Sequence, residues 1–373
     1  MAKISVLIPV YNVSEFLEES IGSLLDQSFE DIELICVNDG SKDNSLDILN
    51  DFAKKDSRVK VIDKPNGGCG SARNRALDEA TGEYLYFFDP DDYILPNALE
   101  ELYKNIESNG SDLVLFKIAT FMDGQPINYD NPLFNFDKIF KDVDFDHFTF
   151  NYKDVTRHVL NSGFAPWSKL YRKSFLDKYD DFRFDLGVAF DDVPFHVKSM
   201  LRAEKISFAP DYYYHYRNAN PNSVNNTASN GIDIMKIVDL VEEFLRNEGY
   251  FEELREEFYY FKMNQIKMYM ISSHNEDYFQ LAKKNLLEFK HDDIKHLPSY
   301  HLEKYYLIIN SNSYEEYEIR DEIHEMNVKK RKLDKKNKAM RKKINKLDKK
   351  NKEILGSKSW KLTKPLRSIK NIF

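Results

Sequence analysis

The chain has 373 residues, of which 42% are hydrophobic, 31% charged and 14% aromatic. This composition supports a folded core and excludes a wholly disordered chain. No apolar run approaches the roughly 20 residues that a membrane-spanning helix needs. The two cysteines, Cys36 and Cys69, exclude a disulfide scaffold and a cysteine-rich zinc module. The first twelve residues contain one lysine and no secretory cleavage site, so we expect a cytoplasmic protein.

The net charge of −8 conceals two oppositely charged parts of the chain. Residues 326–373 carry 19 Lys and Arg against 3 Asp and Glu, whereas the other 325 residues carry 35 basic and 59 acidic side chains. An acidic body repels nucleic acid, so we expect no nucleic-acid partner. The basic amphipathic tail, residues 356–373, suits an anionic surface, and we expect it to make peripheral contact with the inner face of the plasma membrane.

Strands and helices alternate over the first hundred residues. Short apolar runs predict strands at Ile4–Val10, Ile32–Val37, Val59–Ile62 and Tyr84–Phe88. Apolar residues at helical spacing predict helices at Ser14–Gln27, with Ser14 as N-cap, and at Asn44–Lys54 and Ser71–Ala80. This alternation is typical of an α/β fold, in which helices cover both faces of a mostly parallel sheet.

The pattern is less regular after this region. The sequence predicts strands at Leu113–Ala119 and at Ala203–Tyr216, the latter interrupted by Pro210, an aperiodic excursion at Phe121–Tyr152, and helices at Val155–Leu160 and Asp192–Met200. Helical patterns dominate from Ile232 to Phe289. We therefore expect an α/β domain over residues 1–225 and a helical subdomain over residues 226–312.

Residues 313–355 carry a heptad repeat. Apolar residues recur every seven positions at Ile319, Met326, Leu333, Met340, Leu347 and Ile354, and Ile323, Asn337, Ile344 and Asn351 lie four residues after members of this series. Sustained heptads indicate a coiled coil, and Asn at inner positions favours two strands in fixed register, so we expect a homodimer. A single charged helix is the alternative.

Aromatic, polar and turn-forming residues follow the four predicted strands, where an open parallel sheet binds its ligands. They are Pro9, Tyr11 and Asn12; Asp39, Gly40 and Ser41; Lys64, Asn66, Gly67, Gly68, Gly70, Ser71, Arg73 and Asn74; and Asp89, Asp91 and Asp92. Each segment alone is also typical of an ordinary turn or helix cap. Together they suit a nucleoside diphosphate, and because the three carboxylates would repel phosphate, they imply a hard cation such as Mn²⁺ or Mg²⁺.

Four motifs in this region resemble those of the family 2 glycosyltransferases, which have the GT-A fold. The motifs are Val6–Asn12, Val37–Ser41, Asn66–Asn74 and Phe88–Asp92, and the resemblance covers about the first 225 residues. It implies an inverting, metal-dependent enzyme whose donor is a nucleotide sugar, most often a UDP-sugar.

The resemblance also implies a role for individual residues. Asp39 would read the uracil edge, and Pro9 and Tyr11 would line the base pocket. Asp89 and Asp91 would form the metal-binding DxD motif, with Asp89 near the ribose and Asp91 on the metal. The other donor-binding residues would be Asn12, Asn66, Gly67, Gly68 and Arg73, the last near the phosphates or the sugar.

Later segments extend the resemblance. Ala165–Tyr171 resembles the Trp-x-Lys-Leu segment beside the acceptor site, and Phe190–Phe195 resembles the Glu-Asp motif whose second residue is the general base. This makes Asp192 the base, with Asp191 in place of the usual Glu. The segment Tyr214–Arg217, followed by Ser223, resembles one that closes over the diphosphate, and either His215 or Arg217 would contact phosphate or metal.

These residues favour a hexosyl- or N-acetylhexosaminyl-transferase that acts on a hydroxyl of a surface-glycan or lipid-linked acceptor. Inversion needs a single displacement, so one base suffices. Two alternatives stay open: transfer to a polyprenyl phosphate, which needs no base, and a catalytically inactive scaffold in a glycan-assembly complex. The coiled coil and basic tail also resemble extensions found on enzymes that build surface polysaccharides.

Overall fold

The computed structural model describes residues 2–130, 134, 136–140, 142–218, 231–273 and 275–357. Ser223 and the tail after residue 357 lie outside the described residues, so the expectations for them stay predictions. The chain divides into two compact units, Met1–Leu302 and Glu303–Phe373. Among the residues that the structure describes, no helix is both long and apolar enough to cross a membrane.

One mixed sheet lies at the centre of the first unit. Its strands within the described residues are β1 (Ile4–Val10), β2 (Ile32–Asn38), β3 (Val59–Asp63), β4 (Tyr84–Phe87), β5 (Tyr93–Ile94), β6 (Leu113–Phe121), β7 (Lys169–Arg172) and β8 (Ile206–Arg217). Their order across the sheet is β3-β2-β1-β4-β7-β6-β8-β5. The first four in this order are parallel, as are β6 and β8, whereas β7 runs antiparallel to both of its neighbours and β5 runs antiparallel to β8.

Helices connect the strands and dominate the rest of the chain. They are α1 (Leu17–Leu25), α2 (Ser45–Lys55), α3 (Cys69–Glu79), α4 (Ala98–Asn109), α5 (Thr156–Val159), α6 (Lys173–Leu176), α7 (Asp192–Arg202), α8 (Gly231–Asn247), α9 (Arg255–Ser273), α10 (Glu276–Leu287), α11 (His291–Ile294), α12 (Ser299–Ile309) and α13 (Tyr314–Gly356). The long helix α13 lies in the second unit.

Both faces of the sheet are buried under helices. Successive side chains of a strand point to opposite faces, and every residue of β1 is buried. Leu7 packs in a cluster that includes residues of α3, α7, α8 and α9, whereas Val6 packs in a second cluster with residues of α1, α2 and α4. This explains why the β1 sequence is almost continuously apolar, as is usual for a strand in a doubly covered parallel sheet.

The predicted α/β class is confirmed, and two local predictions are wrong. Helix α1 begins at Leu17, because the amide of Ser14 donates to Asp43 Oδ2 (2.9 Å) and Ser14 lies in the preceding turn instead of capping the helix. Pro210 does not interrupt β8. The strand passes through an irregularity in its pairing with β6, which accommodates the proline, and continues to Arg217.

Candidate active site

The carboxyl ends of β1 to β4 bring the first four motifs to one edge of the sheet. The amide of Asp39, after β2, donates to the carbonyl oxygen of Val10 at the end of β1 (2.8 Å). The amide of Lys64, after β3, donates to the carbonyl oxygen of Asn38 (3.0 Å). The residue that follows each of these strands is therefore bonded to the last residue of the neighbouring strand.

The residues after β1 are held by the turn after β2. Asn12 has a left-handed backbone (φ 51°), its amide donates to Ser41 Oγ (3.1 Å), and its side-chain oxygen accepts from the Lys42 amide (2.7 Å). Pro9 is buried in β1, whereas Tyr11 is 45% exposed. The chain thus fixes the backbone around Tyr11 and leaves its ring accessible for stacking.

Asp39 organises the glycine-rich loop that follows β3. Its buried carboxylate accepts from the amides of Gly67 (2.9 Å) and Gly68 (2.8 Å) and forms an ion pair with Lys64. The loop, including Asn66, is itself exposed. Asp39 therefore has a visible structural role in addition to the base-reading role that the sequence predicts.

Arg73, on α3, joins two of the predicted site carboxylates. One guanidinium nitrogen lies 2.9 Å from Asp89 Oδ1, and another lies 3.4 Å from Asp191 Oδ1. The guanidinium also packs over the ring of Phe184, 5.2 Å from its centroid. Because Arg73 is only 6% exposed, water screens these ion pairs less than it would on the surface.

The predicted base lies at the start of α7. Phe190, directly before the Asp pair, has a left-handed backbone (φ 63°), which is unfavourable for a bulky side chain. The side chain of Asp191 makes no capping hydrogen bond to the helix. Burial raises the pKa of Asp191 to about 7 and also raises the pKa of Asp192, while Arg73 acts in the opposite direction on both. A simple capping role does not explain this pair of carboxylates.

The predicted acceptor segment packs on β8, and its lysine lies within the electrostatic influence of Asp192. Lys169 is fully buried, and its ammonium donates to the Ala165 carbonyl (2.9 Å) and to Ser168 Oγ (3.0 Å). Burial lowers the pKa of Lys169 to about 7, and the carboxylate of Asp192 partly offsets this effect. Trp167 stacks on Tyr214 of β8, with ring centroids 4.4 Å apart.

Asp92 is buried, whereas the other two acidic residues of its motif, Asp89 and Asp91, are partly exposed. It is 1% exposed and accepts from the Tyr214 hydroxyl and from the amide of Arg217 (2.7 Å). Burial and the nearby Asp91 and Asp89 raise its pKa well above the ordinary range. Asp92 therefore anchors β8, a role that the sequence analysis missed because it treated the acidic residues as one cluster.

Arg217 is paired with protein carboxylates. It forms ion pairs with Glu19 and Asp123, and its Nε donates to the main-chain oxygen of Asp91 (2.8 Å). The ring of His215 is buried against Tyr93, with centroids 4.6 Å apart.

Neither ring nitrogen of His215 has a hydrogen-bond partner among the described residues. Burial lowers the pKa of this imidazole, which favours its neutral form. The contact of His215 or Arg217 with phosphate or metal stays a prediction.

The acidic residues after β4 fit a cation that is shared with a diphosphate. In the described ranges, no group of three or more His, Cys, Asp and Glu side chains could hold a metal ion. Asp89 and Asp91 are both partly exposed and offer the carboxylate oxygens that Mg²⁺ and Mn²⁺ prefer. Such ions are commonly held by one or two carboxylates together with phosphate oxygens and water.

Comparisons with known proteins agree with this geometry. Residues 5–180 match the family model described as glycosyl transferase family 2. The chain is 32% identical over 222 residues to the glycosyltransferase GlyG of Streptococcus pneumoniae, which covers 57% of this chain and 70% of GlyG. It is 37% identical over 219 residues to the poly(ribitol-phosphate) beta-glucosyltransferase of Bacillus spizizenii, which covers 57% of this chain and 32% of the relative.

A solved structure shows the same fold. The crystal structure of S. aureus TarS 1–349 in complex with UDP-GlcNAc has a TM-score of 0.52 and 23% sequence identity, and the match covers 82% of this chain and 90% of that chain. The GT-A fold expected from the sequence is thereby confirmed. Among the curated relatives, however, the chain spans only 62%, 30% and 32% of the length of three.

Gly70 is needed where α3 approaches Asp191, the residue before the predicted base. A Cβ there would overlap Asp191 Oδ2 and lie 3.1 Å from the Cβ of Phe184. We expect Gly70→Ala to lower the free energy of unfolding by about 1–3 kcal/mol, the usual cost of overpacking. Gly22→Ala is the matched control, because no atom lies within 4 Å of its added Cβ and alanine stabilises a helix by up to about 1 kcal/mol. Thermal unfolding checks both, and equal stability of the two variants would contradict this packing.

Proposed function

The chain belongs to glycosyl transferase family 2, and we propose that it transfers a hexosyl or N-acetylhexosaminyl group from a UDP-sugar to a hydroxyl of a surface-glycan or lipid-linked acceptor. The observation that carries the proposal is the Arg73 bridge between Asp89 and Asp191. Through the buried guanidinium, it links Asp89 of the proposed donor site to Asp191, the residue next to the proposed base, in one network of ion pairs. One such network is what a single displacement requires, since donor and acceptor must meet at one carbon atom.

The edge formed by β1 and β2 suits the nucleoside part of the donor. Tyr11 offers an accessible ring, and Asp39 would read the uracil edge, as the family pattern implies. Each oxygen of a carboxylate can accept more than one hydrogen bond, so Asp39 can hold the amides of Gly67 and Gly68 and still accept from a base. TarS, which shares this fold, binds UDP-GlcNAc, and this supports a nucleotide-sugar donor.

The diphosphate would lie beside Asp89 and Asp91, which would hold Mn²⁺ or Mg²⁺. When bound, this cation would offset the negative charge of the diphosphate. Arg73 fixes one oxygen of Asp89 at 2.9 Å and so limits the orientations available to that carboxylate. Asp92 would not bind this cation, because its carboxylate already accepts hydrogen bonds from the Tyr214 hydroxyl and the Arg217 amide.

Asp192 would act as the general base. It would accept the proton of the acceptor hydroxyl while that oxygen bonds to the anomeric carbon, the bond from this carbon to the diphosphate breaks, and UDP leaves with the electron pair. The raised pKa makes Asp192 a better proton acceptor near neutral pH than an exposed carboxylate. Arg73 and Lys169 favour its ionised form and so keep it able to accept.

The acceptor class is supported by a relative. The poly(ribitol-phosphate) beta-glucosyltransferase of Bacillus spizizenii is named for a polyol-phosphate acceptor, whose free hydroxyls require a base. Transfer to a polyprenyl phosphate would not require one, because that acceptor is already ionised. An inactive scaffold would have no need for a buried Asp191 paired with Arg73 directly before Asp192.

Two further proposals concern the C-terminal region. The chain would form a homodimer through α13, whose apolar heptad residues are exposed. The basic tail would hold this cytoplasmic enzyme at the inner face of the plasma membrane, close to lipid-linked acceptors. Residues 356–373 contain five basic and no acidic side chains, which supports this attachment.

Asp192→Asn keeps the shape of the side chain and removes its basicity. We expect transfer to a hydroxyl acceptor to fall by about 10²–10⁴-fold, with the melting temperature and the affinity for UDP nearly unchanged. The matched control is Asp185→Asn, a nearby half-buried carboxylate with no proposed role.

The wild-type pH profile provides a second measurement for Asp192. Because the pKa of Asp192 is raised, its protonated and inactive form persists to a higher pH than for an ordinary aspartate. As the pH is lowered, transfer should therefore begin to fall at a pH above the ordinary pKa of an aspartate. Asp192→Asn transfer within a few-fold of wild type would refute the base and favour a polyprenyl phosphate acceptor.

Asp91→Asn tests the proposed metal site through binding alone. In the wild type, UDP at 100 times its dissociation constant with Mn²⁺ should stabilise the fold by about 2.7 kcal/mol, and a chelator should weaken this effect. In Asp91→Asn the Mn²⁺-dependent part should disappear, because a neutral amide is a poorer ligand for a hard cation. Asp47→Asn, on the exposed surface of α2, is the control. Unchanged Mn²⁺-dependent binding in Asp91→Asn would show that the metal is held elsewhere.

Sedimentation with liposomes tests the tail. Binding should rise with the fraction of anionic lipid and fall with salt, because each Lys or Arg near such a surface contributes about 1 kcal/mol. Apolar groups of the tail could enter the interface, namely Trp360, Leu362, Leu366, Ile369, Ile372 and Phe373. A chain that ends at residue 357 should bind far less. Equal binding to neutral vesicles, or none to either kind, would contradict membrane attachment.

A further inference from the structure

Helix α13 exposes an apolar stripe along its whole length. In this helix, which the structure describes completely, nine large apolar side chains are between 43% and 61% exposed: Ile319, Ile323, Met326, Leu333, Met340, Ile344, Leu347, Ile354 and Leu355. The helix has 43 residues and is therefore about 65 Å long at about 1.5 Å per residue. A stripe this long with a period of 3.5 residues matches the seam of a coiled coil.

The opposite face of α13 already has a partner near its start. Lys304, on α12, pairs with Glu325 (2.9 Å) and with Asp321, and Glu303 lies 3.1 Å from His324. None of these three α13 residues belongs to the apolar stripe. The packing within the second unit therefore leaves the stripe uncovered, and a second α13 is the occupant that its period fits.

We infer that two copies of α13 form a parallel, in-register coiled coil. This inference rests on the homodimer proposed above and adds its direction and register. The heptad positions follow from the spacing. The series from Ile319 to Ile354 occupies position d, and the residues four positions later occupy position a: Ile323, Lys330, Asn337, Ile344 and Asn351.

The asparagines favour the parallel direction. In a parallel, in-register coil, each position a faces the same position of the second copy, so Asn337 meets Asn337 and Asn351 meets Asn351, and the side-chain amides can bond to each other. In an antiparallel coil, position a faces position d, and every residue at position d of this helix is apolar. Each buried amide would then lack a partner, which is unfavourable.

The charges next to the stripe favour the same direction. Residues 326–352 contain two acidic residues, Asp334 and Asp348, and both occupy position e. In a parallel coil, position g faces position e of the next heptad in the second copy, so Lys329 meets Asp334 and Lys343 meets Asp348. Two pairs are unfavourable in this arrangement: Lys336 would meet Arg341, and Lys330, at position a, would meet Lys330 of the second copy.

An antiparallel coil lacks these pairs between lysine at position g and aspartate at position e. There, g positions face g positions, and from residue 329 to residue 350 every g position is a lysine: Lys329, Lys336, Lys343 and Lys350. Like charges would then face one another along the basic part of the helix. Amide pairing and charge pairing thus lead independently to the parallel arrangement, in which both C-terminal tails leave the coil at the same end and their membrane contacts are multiplied.

Disulfide trapping in the full-length chain tests the direction. Asn351→Cys lies near the end of α13, and it is combined with Cys69→Ser to remove the exposed native thiol. Under mild oxidation we expect a covalent dimer, because the two thiols face each other across a parallel seam. Lys349→Cys in the same background, at the outward position f, is the matched control and should stay largely uncrosslinked.

A mixed sample and a mass measurement separate the outcomes. Differently tagged Asn351→Cys and Ile319→Cys chains should each link to their own kind; cross-links only between the two kinds would mean an antiparallel coil and overturn the inference while the dimer stands. Light scattering of the reduced protein should give the mass of two chains. A monomer would refute the proposed dimer itself, and a larger oligomer would refute the two-stranded coil.

Discussion

Two carboxylates from distant parts of the chain share one buried guanidinium, and the geometry of the site depends on this sharing. Asp89 follows β4, Asp191 precedes α7, and Arg73 on α3 contacts both. A buried charge is tolerated only when it is paired, and removing one partner from such a pair typically costs about 3–5 kcal/mol. Helix α3 must therefore lie close to both segments, and Gly70 permits this approach because a side chain there would overlap Asp191.

Burial assigns different tasks to neighbouring acidic residues. Asp92 is enclosed and bonded to β8, whereas Asp89 and Asp91 are partly exposed. Arg217 then links the same strand to the main chain of Asp91 and is neutralised by Glu19 and Asp123. Strand β8 thus positions the acidic motif through the carboxylate of Asp92 and the main-chain carbonyl of Asp91, while Arg73 holds Asp89.

The features predicted correctly from the sequence are those that local pattern determines. The apolar run of β1 was enough to predict this strand. The turn-forming and polar residues after β1 to β4 were enough to predict the edge of the sheet at which the motifs meet. The antiparallel insertion of β7 and the short strand β5 were missed, because the pairing of strands depends on contacts between distant segments. Helix α4 was also missed, although its buried residues Leu99, Leu102 and Ile106 recur at helical spacing. The ion pair between Glu19 and Arg217 spans 198 residues, and neither residue carries a local signal of the other.

The shared guanidinium also couples the two halves of the proposed reaction. Burial disfavours the charged forms of Asp191 and Asp192, and Arg73 is the largest opposing influence on both. The same cation orients Asp89 at the proposed donor site. Any change in how strongly Asp89 holds Arg73 must therefore alter the electrostatic field at the proposed base. The proton affinity of Asp192 at the acceptor side therefore depends on the placement of Asp89 at the donor side, because the buried charge of Arg73 acts on both carboxylates.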